Sequence, residues 1–171
     1  MIGRILLSIS GTAQILGPFI ADFNETHVRN PRWPPHARFH NGQTMSLGLG
    51  LGLATLYFTH RHAFSSASVV REKDSLMTAA IFGCLYWLTG LSAILYPGSL
   101  AVDPEFGEGF PQFWLFLGLA ASSLGGWGLE TIRLNGNWGL VECHPDVLIY
   151  VQAIPKRPAM QCTQGQKEIK V

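Results

Sequence analysis

Residues 77–96, MTAAIFGCLYWLTGLSAILY, run for twenty positions without a charged side chain. At a rise of about 1.5 Å per residue, such a run crosses the hydrocarbon core of a bilayer as one α-helix. Its apolar residues are continuous rather than alternating, which argues against a strand of a membrane barrel. The absence of charge has an energetic cause, because an ionised group at mid-membrane costs on the order of 3 kcal/mol or more.

Working outward, residues 110–132 (FPQFWLFLGLAASSLGGWGLETI) form a second run of spanning length. Two shorter runs, 5–21 and 45–59, need their flanks to complete a span. Only 13% of the 171 residues are charged and 47% are hydrophobic, and the charges cluster between these runs. The fold expected is therefore all-α, an integral membrane four-helix bundle over residues 1–135, with helices at about 5–21, 45–59, 77–96 and 110–132. A tail, 136–171, follows on the cytosolic side. The first run resembles a secretory leader, with Arg4 as its positive region. It nevertheless carries Gln14 and Pro18 and no small-x-small cleavage pattern, and so reads as a retained helix.

Small residues mark the helices for close packing. Gly48, Gly50 and Gly52 alternate with leucines, Gly83 and Gly90 stand seven apart, and the fourth run carries Ala120, Ala121, Ser122, Ser123, Gly125, Gly126 and Gly128. In lipid, apolar burial does not drive association, so close approach through small residues takes its place. Net charge is +1 with no basic patch, which excludes nucleic acid as a partner. Cys84, Cys143 and Cys162 form no Cys-x-x-Cys pair, which argues against a redox-active dithiol.

Orientation follows from the basic residues. Arg4, Arg61, Arg71, Lys73, Arg133, Lys156, Arg157, Lys167 and Lys170 fall at one end of the expected bundle, against Arg29, Arg32 and Arg38 at the other. The second connection at that other end, 97–111, is acidic, with Asp103, Glu105 and Glu108. Both termini are expected in the cytosol, with residues 22–43 on the lumenal or extracellular side and the endoplasmic reticulum as the membrane.

Chemistry concentrates in the connection Asp22–Gln43, which holds Asp22, Glu25, His27, His36 and His40 beside Asn24, Asn41 and Gln43. Pro31, Pro34 and Pro35 predict a stiff, extended path rather than a helix, and Trp33 suits the headgroup boundary. Asp22 stands where the first helix meets the interface, and partial desolvation there would hold a carboxyl near neutrality. One further helical turn would put Glu25 on the same face, and two carboxylates in unlike surroundings can divide acid and base roles. The plain alternative is that both solvate a helix end and pair with Arg29 or Arg32. His36 and His40 have a spacing that on a helix could hold one metal, but the further histidine clusters of membrane diiron enzymes are absent. Hydrogen-bonded interfacial histidines are the simpler reading, and no metal or organic cofactor is expected. Tyr57, Tyr86 and Trp87 could line a pocket, though aromatic residues at helical spacing more often pack. Glu130 and Arg133 read as an i,i+3 pair.

The run Asp22-Phe-Asn-Glu-Thr-His27 followed by Asn30-Pro-Arg-Trp-Pro-Pro-His-Ala-Arg-Phe-His-Asn41 resembles a family of small fungal multi-pass membrane proteins. That family includes epoxide hydrolases of polyene-pyrone polyketide pathways, of the aurovertin and citreoviridin type. The resemblance covers the four-helix core, with Trp-Pro-Pro-His-x-x-Phe-His as its distinctive part. It implies cofactor-independent opening of an epoxide on an apolar polyketide in secondary metabolism, by hydrolysis or cyclisation. Asp22 or Glu25 would then take one of the acid and base roles and His27 or His40 the other. Asn24, Asn41 and Gln43, with His36 and Trp33, would hold a lipophilic substrate. Two other readings stay open: a membrane isomerase or cyclase similar to the emopamil-binding sterol isomerases, and a non-enzymatic lipid-binding or assembly protein. Membrane lipid is a partner in each, and oligomer formation is compatible with all.

Overall fold

The computed structural model describes residues 1–63, 67–136, 138–144 and 147–152, the last two stretches as backbone alone. Four long helices make the bundle: α1 (Ile2–Asp22), α2 (Pro35–His60), α3 (Val69–Ser92, extended by a 3-10 turn, Ala93–Leu95) and α4 (Phe113–Gly136). Two strands follow, β1 (Trp138–His144) and β2 (Val147–Gln152), paired antiparallel with Trp138 opposite Gln152. The tail expected over 136–171 thus opens with a hairpin, and residues 153–171 lie outside the described residues.

The helix starts depart from expectation where polar residues were taken for loop. The second helix begins at Pro35 rather than Met45, with Pro34 as its N-cap. A proline at the first helical position lacks only an N–H that would have no helical partner there, so the Pro-Pro pair starts a helix instead of forbidding one. The stretch 36–43 is therefore helical, and the extended path expected there is corrected. The third helix begins at Val69, eight residues before Met77, because Ser68 caps it by accepting from the Arg71 N–H at 3.4 Å and Glu72 sits in its first turn.

Each helix packs on its sequence neighbours, and α1 also closes the ring against α4, while the α1–α3 diagonal is sparse. The core joins an apolar cluster around Leu7, Val69, Leu76 and Leu134 to small polar side chains, and the outside is large and apolar. Ser10, Gln14, Thr55, Thr59, Ser75 and Ser123 are fully buried, whereas Ile9, Leu16, Ile81, Leu88, Leu124 and Ile132 are exposed. Large apolar side chains over the outside, with polar side chains buried between helices, fit lipid as the surrounding solvent. The first, third and fourth helices are each long and apolar enough to cross a membrane. The second is made less apolar by the polar residues of its first turns and by its glycines, and it packs between α1 and α3.

Glycines set the helix separations. At Gly52 a Cβ would lie 2.5 Å from the Gly11 carbonyl, and at Gly126 one would lie 2.6 Å from that of Gly3. Gly48 meets Pro18, Gly83 meets Ser123 and Gly90 meets Phe116. The seven-residue pair thus shares one face, against α4. Gly50, Gly118, Gly125 and Gly128 have open space instead. At the centre, Gln14 donates to the carbonyls of Phe82 (3.0 Å) and Gly83 (2.9 Å) and accepts from Thr55 (3.3 Å), tying α1, α2 and α3 together.

The two ends of the bundle differ. At the end holding Arg4, that guanidinium meets Glu72 at 2.7 Å, and Arg133 bridges Glu72 (3.2 Å) and Glu130 (2.6 Å). The expected Glu130–Arg133 pair is present, inside a larger network. At the other end the 23–34 connection lies against the 96–112 connection. Arg32 pairs with Glu105, Asn30 Nδ2 donates to Glu105 at 3.2 Å, and Trp33 Nε1 donates to Asp103 at 3.3 Å.

Candidate functional site

Beneath those joined connections the four helices line a partly open cavity of about 590 Å³, within the range of small-molecule sites. Its wall is largely apolar and aromatic, with Leu47, Trp87, Phe110, Leu115, Phe116 and Leu119. Its polar groups are few: Asp22 at the end of α1, His27 in the connection, Thr44 on α2, Tyr86 and Thr89 on α3, Ser99, and Gln112 before α4.

Asp22 ends α1 because the chain turns there. Asn24 donates to the carbonyls of Ile20 (3.1 Å) and Ala21 (2.8 Å), while its own Oδ1 accepts from the Thr26 N–H (2.8 Å) and hydroxyl (2.6 Å). Every polar atom of the Asn24 side chain is spent on that turn, a standard use of asparagine. The Val28 N–H then closes onto the Asp22 carbonyl at 3.1 Å. The turn brings His27 back over the helix end, so that Nε2 lies 3.8 Å from Asp22 Oδ1. Thr26 Oγ1 is 2.7 Å from the other ring nitrogen, and Trp33 stands edge-on to the imidazole with centroids 4.9 Å apart. Asn41, one and a half turns into α2, donates to Asp22 Oδ2 at 3.0 Å. The side chain of Asp22 is 18% exposed, so its charge meets mainly these groups.

The expected residues therefore divide. Asp22 and His27 line the cavity and face each other, with Asn41 behind the carboxylate. Trp33 braces His27 and ties the connection to Asp103. Glu25 is exposed and has no hydrogen bond or ion pair among the described residues, because α1 stops three residues earlier and the shared face never forms. His36 and His40 lie exposed on α2, their Nε2 atoms 3.0 Å apart, and neither reaches the cavity. Gln43 is exposed on the same helix. Among the described residues no group of three or more histidine, cysteine or acidic side chains is placed to hold a metal ion.

Several contributors lie outside the 22–43 stretch. Tyr86 and Trp87 line the cavity while Tyr57 faces outward, a division that helical spacing alone leaves undecided. Gln112 donates to the Ala101 carbonyl at 2.8 Å, and its Oε1 is buried without a partner among the described residues, as is Oδ1 of Asn41. Buried acceptors without donors are costly, and Gln112, at the cavity wall, suits a donor brought by a ligand. Asn30 is 2% exposed and joins three elements, accepting from the Arg32 N–H through Oδ1 and from Arg38 through its carbonyl, and donating to Glu105. Long-range pairing of this kind has no local signal in the sequence.

Residues 6–139 match the model of a family of unknown function, DUF6640, and the chain belongs to that family. No curated protein and no solved structure matches it.

Proposed function

We propose that this DUF6640 member is a membrane-embedded, cofactor-independent enzyme that opens an epoxide on a lipophilic polyketide by general acid and base catalysis. The observation that carries the reading is the facing pair Asp22 and His27 at the wall of a largely apolar cavity, 3.8 Å apart. Acid–base catalysis needs two such groups within reach of one substrate, and each contributes about 100-fold or more. The resemblance of residues 22–41 to membrane epoxide hydrolases supplies the reaction class.

In this scheme Asp22 is the base and protonated His27 the acid. The Asp22 carboxylate, oriented by Asn41, takes a proton from water or from a hydroxyl of the substrate. The oxygen so activated bonds to an epoxide carbon as that C–O bond breaks. The departing oxygen takes its proton from His27, so no charge accumulates on it. Return of the proton from Asp22 to His27, 3.8 Å apart, through a bridging water or the product hydroxyl restores the starting pair. Attack by water gives a diol, and attack by an internal hydroxyl gives a cyclic ether. Two carboxylates are not required, which leaves Glu25 outside the chemistry.

The membrane in this proposal is the endoplasmic reticulum, with both termini cytosolic and the cavity near the lumenal face. The three arginines at the cavity end each have a local partner. Arg29 lies over the Phe23 ring, Arg32 pairs with Glu105 and Arg38 binds the Asn30 carbonyl. Only Arg32 among them meets a carboxylate, and at the opposite end Arg4 and Arg133 are likewise paired, with Glu72 and Glu130, so the proposed orientation rests on the larger number of basic residues at that opposite end.

The test compares membranes carrying wild type or Asp22→Asn, each given an epoxidised polyene pyrone in isotopically labelled water, with products read by mass spectrometry. The expected result is a labelled diol, or an unlabelled cyclic ether, from wild type, reduced by about 100-fold or more in the variant. Double-bond migration with the epoxide intact would replace this reading with an isomerase. No turnover by correctly folded wild type would replace it with a lipid-binding or assembly protein.

A further inference from the structure

A second concavity lies on the outside of the bundle. Ile5, Ile9, Leu16 and Ile20 are all exposed and recur at helical spacing along one face of α1. They line a groove of about 1070 Å³ that runs from Arg4 to Ile20. At 1.5 Å per residue that is a length of about 24 Å. Its far end is polar, but the polar groups there engage one another, with Ser8 Oγ 2.8 Å from His60 Nε2 and Arg4 on Glu72. What the groove offers along most of its length is an aliphatic wall.

The groove and the cavity of Asp22 and His27 share two residues, Ala13 and Gly17. These stand four apart on one face of α1, and they are small, so the helix forms a low step between the two spaces. The step is low, and it is bordered by a side chain rather than by backbone: a Cβ at Gly17 would stand in ordinary contact with Trp87 Cη2, at 4.0 Å, whereas at Gly52 one would lie 2.5 Å from backbone. Gly17 precedes Asp22 by five residues, so the step lies roughly 8 Å deeper along the helix axis, toward the hydrocarbon. The end of the cavity nearer water is instead covered by the joined connections, through Asn30, Arg32 and Trp33 on one side and Asp103 and Glu105 on the other.

We infer that the step at Ala13 and Gly17 is a lateral doorway, and that the substrate is an oxygen-bearing head joined to a long linear apolar chain. This rests on the reading given under Proposed function. The head lies in the cavity beside Asp22 and His27. The chain leaves over the step and lies in the groove along α1, at a depth where it never passes through water. A rigid fused-ring substrate would fill the cavity alone and leave the groove to lipid. The shared residues are what favour a chain, since a narrow helical face can guide a linear molecule but offers no enclosed volume for a ring system.

The test uses the full chain in lipid nanodiscs and two photoactivatable probes, hexadecanol carrying a diazirine beside the hydroxyl or at the far end of the chain. Crosslinked residues are mapped by mass spectrometry, with unlabelled hexadecanol as competitor. The head-labelled probe should mark cavity residues such as Leu47, Trp87 and Leu119, and the tail-labelled probe Ile5 and Ile9. Ala13→Leu should lower the cavity labelling by roughly tenfold, as three added carbons narrow the step. Tail labelling spread evenly over the outer faces of α1, α3 and α4 would mean bulk lipid contact and overturn the inference. Both probes confined to the cavity would overturn it in favour of a compact substrate. The wild-type pattern decides these outcomes, so a misfolded variant does not. The pattern as expected, in a protein that leaves epoxides intact in labelled water, would keep the doorway and remove the epoxide reading. Epoxide turnover without groove labelling would do the opposite.

Discussion

Replacing Gly52 and Gly50 separately by alanine should change stability in opposite directions, though the two lie two residues apart in one helix. A Cβ at position 52 would stand 2.5 Å from the Gly11 carbonyl oxygen and 2.6 Å from Ile15 Cγ1, roughly 0.9 Å short of ordinary contact with the former. The obstruction is backbone, so no rotamer change relieves it, and α1 and α2 must separate along their seam. That separation also stretches the Thr55–Gln14 hydrogen bond, already 3.3 Å. Overpacking of this kind costs about 1–3 kcal/mol. It outweighs the gain of about 0.5–1 kcal/mol that alanine brings to a helix interior. At position 50 nothing lies within 4 Å, so only the gain remains. Unfolding in mixed micelles with rising dodecyl sulfate, followed by far-ultraviolet circular dichroism, would read both variants against wild type. The expected order of midpoints is Gly50→Ala, wild type, Gly52→Ala. Equal stability of Gly52→Ala and wild type, or a shift of both variants in the same direction, would refute the packing argument.

Asn41→Leu should lower kcat on an epoxide by about 10- to 100-fold, because a hydrogen bond to a charged group is worth about 1.5–3 kcal/mol; steady-state kinetics in membranes would show whether KM stays near the wild-type value. Glu25→Gln and His40→Gln should each retain turnover within about twofold, since neither side chain reaches the cavity, and a loss comparable to that of Asp22→Asn would shift the site toward the exposed residues. Gln14→Leu should cost only about 1 kcal/mol in the same micelle assay despite three hydrogen bonds, because interhelical hydrogen bonds in membranes average about 0.6 kcal/mol each and leucine refills the volume.

Continuous apolar runs made the four helices legible, because a bilayer imposes a length and a charge limit on any segment that crosses it. Helix starts were less legible. Lys73 and Asp74 read as loop because they cannot sit at mid-membrane, yet a helix can extend past the hydrocarbon into the headgroup zone with its charges intact. Pro34 and Pro35 read as breakers, although their effect depends on whether they fall at a first turn or inside one. The site shows the same division. Asp22 was legible from its place at a helix end and His27 from its nearness in sequence. Glu25 looked equivalent to Asp22 only under the assumption that α1 continues, and Asn24 prevents that by turning the chain. Tyr86, Trp87 and Gln112 contribute from other helices and connections, and only tertiary packing decides which aromatic residue faces inward.

The contacts between the two connections also shape the site. Glu105, seventy-three residues after Arg32, meets that arginine and also holds Asn30. The acidic connection 96–112 thus offsets local positive charge and, by the same bonds, draws the two connections together over the cavity. A cavity covered at its watery end and bounded by a low step beside lipid favours a substrate that partitions into the bilayer. In the proposed reaction Asp22 and His27 would act at a largely apolar wall, and the nucleophile would be one water held by them or a hydroxyl carried by the substrate. The proposal then makes the choice between diol and cyclic ether a matter of which hydroxyl the substrate brings, rather than of which acid and base the protein supplies.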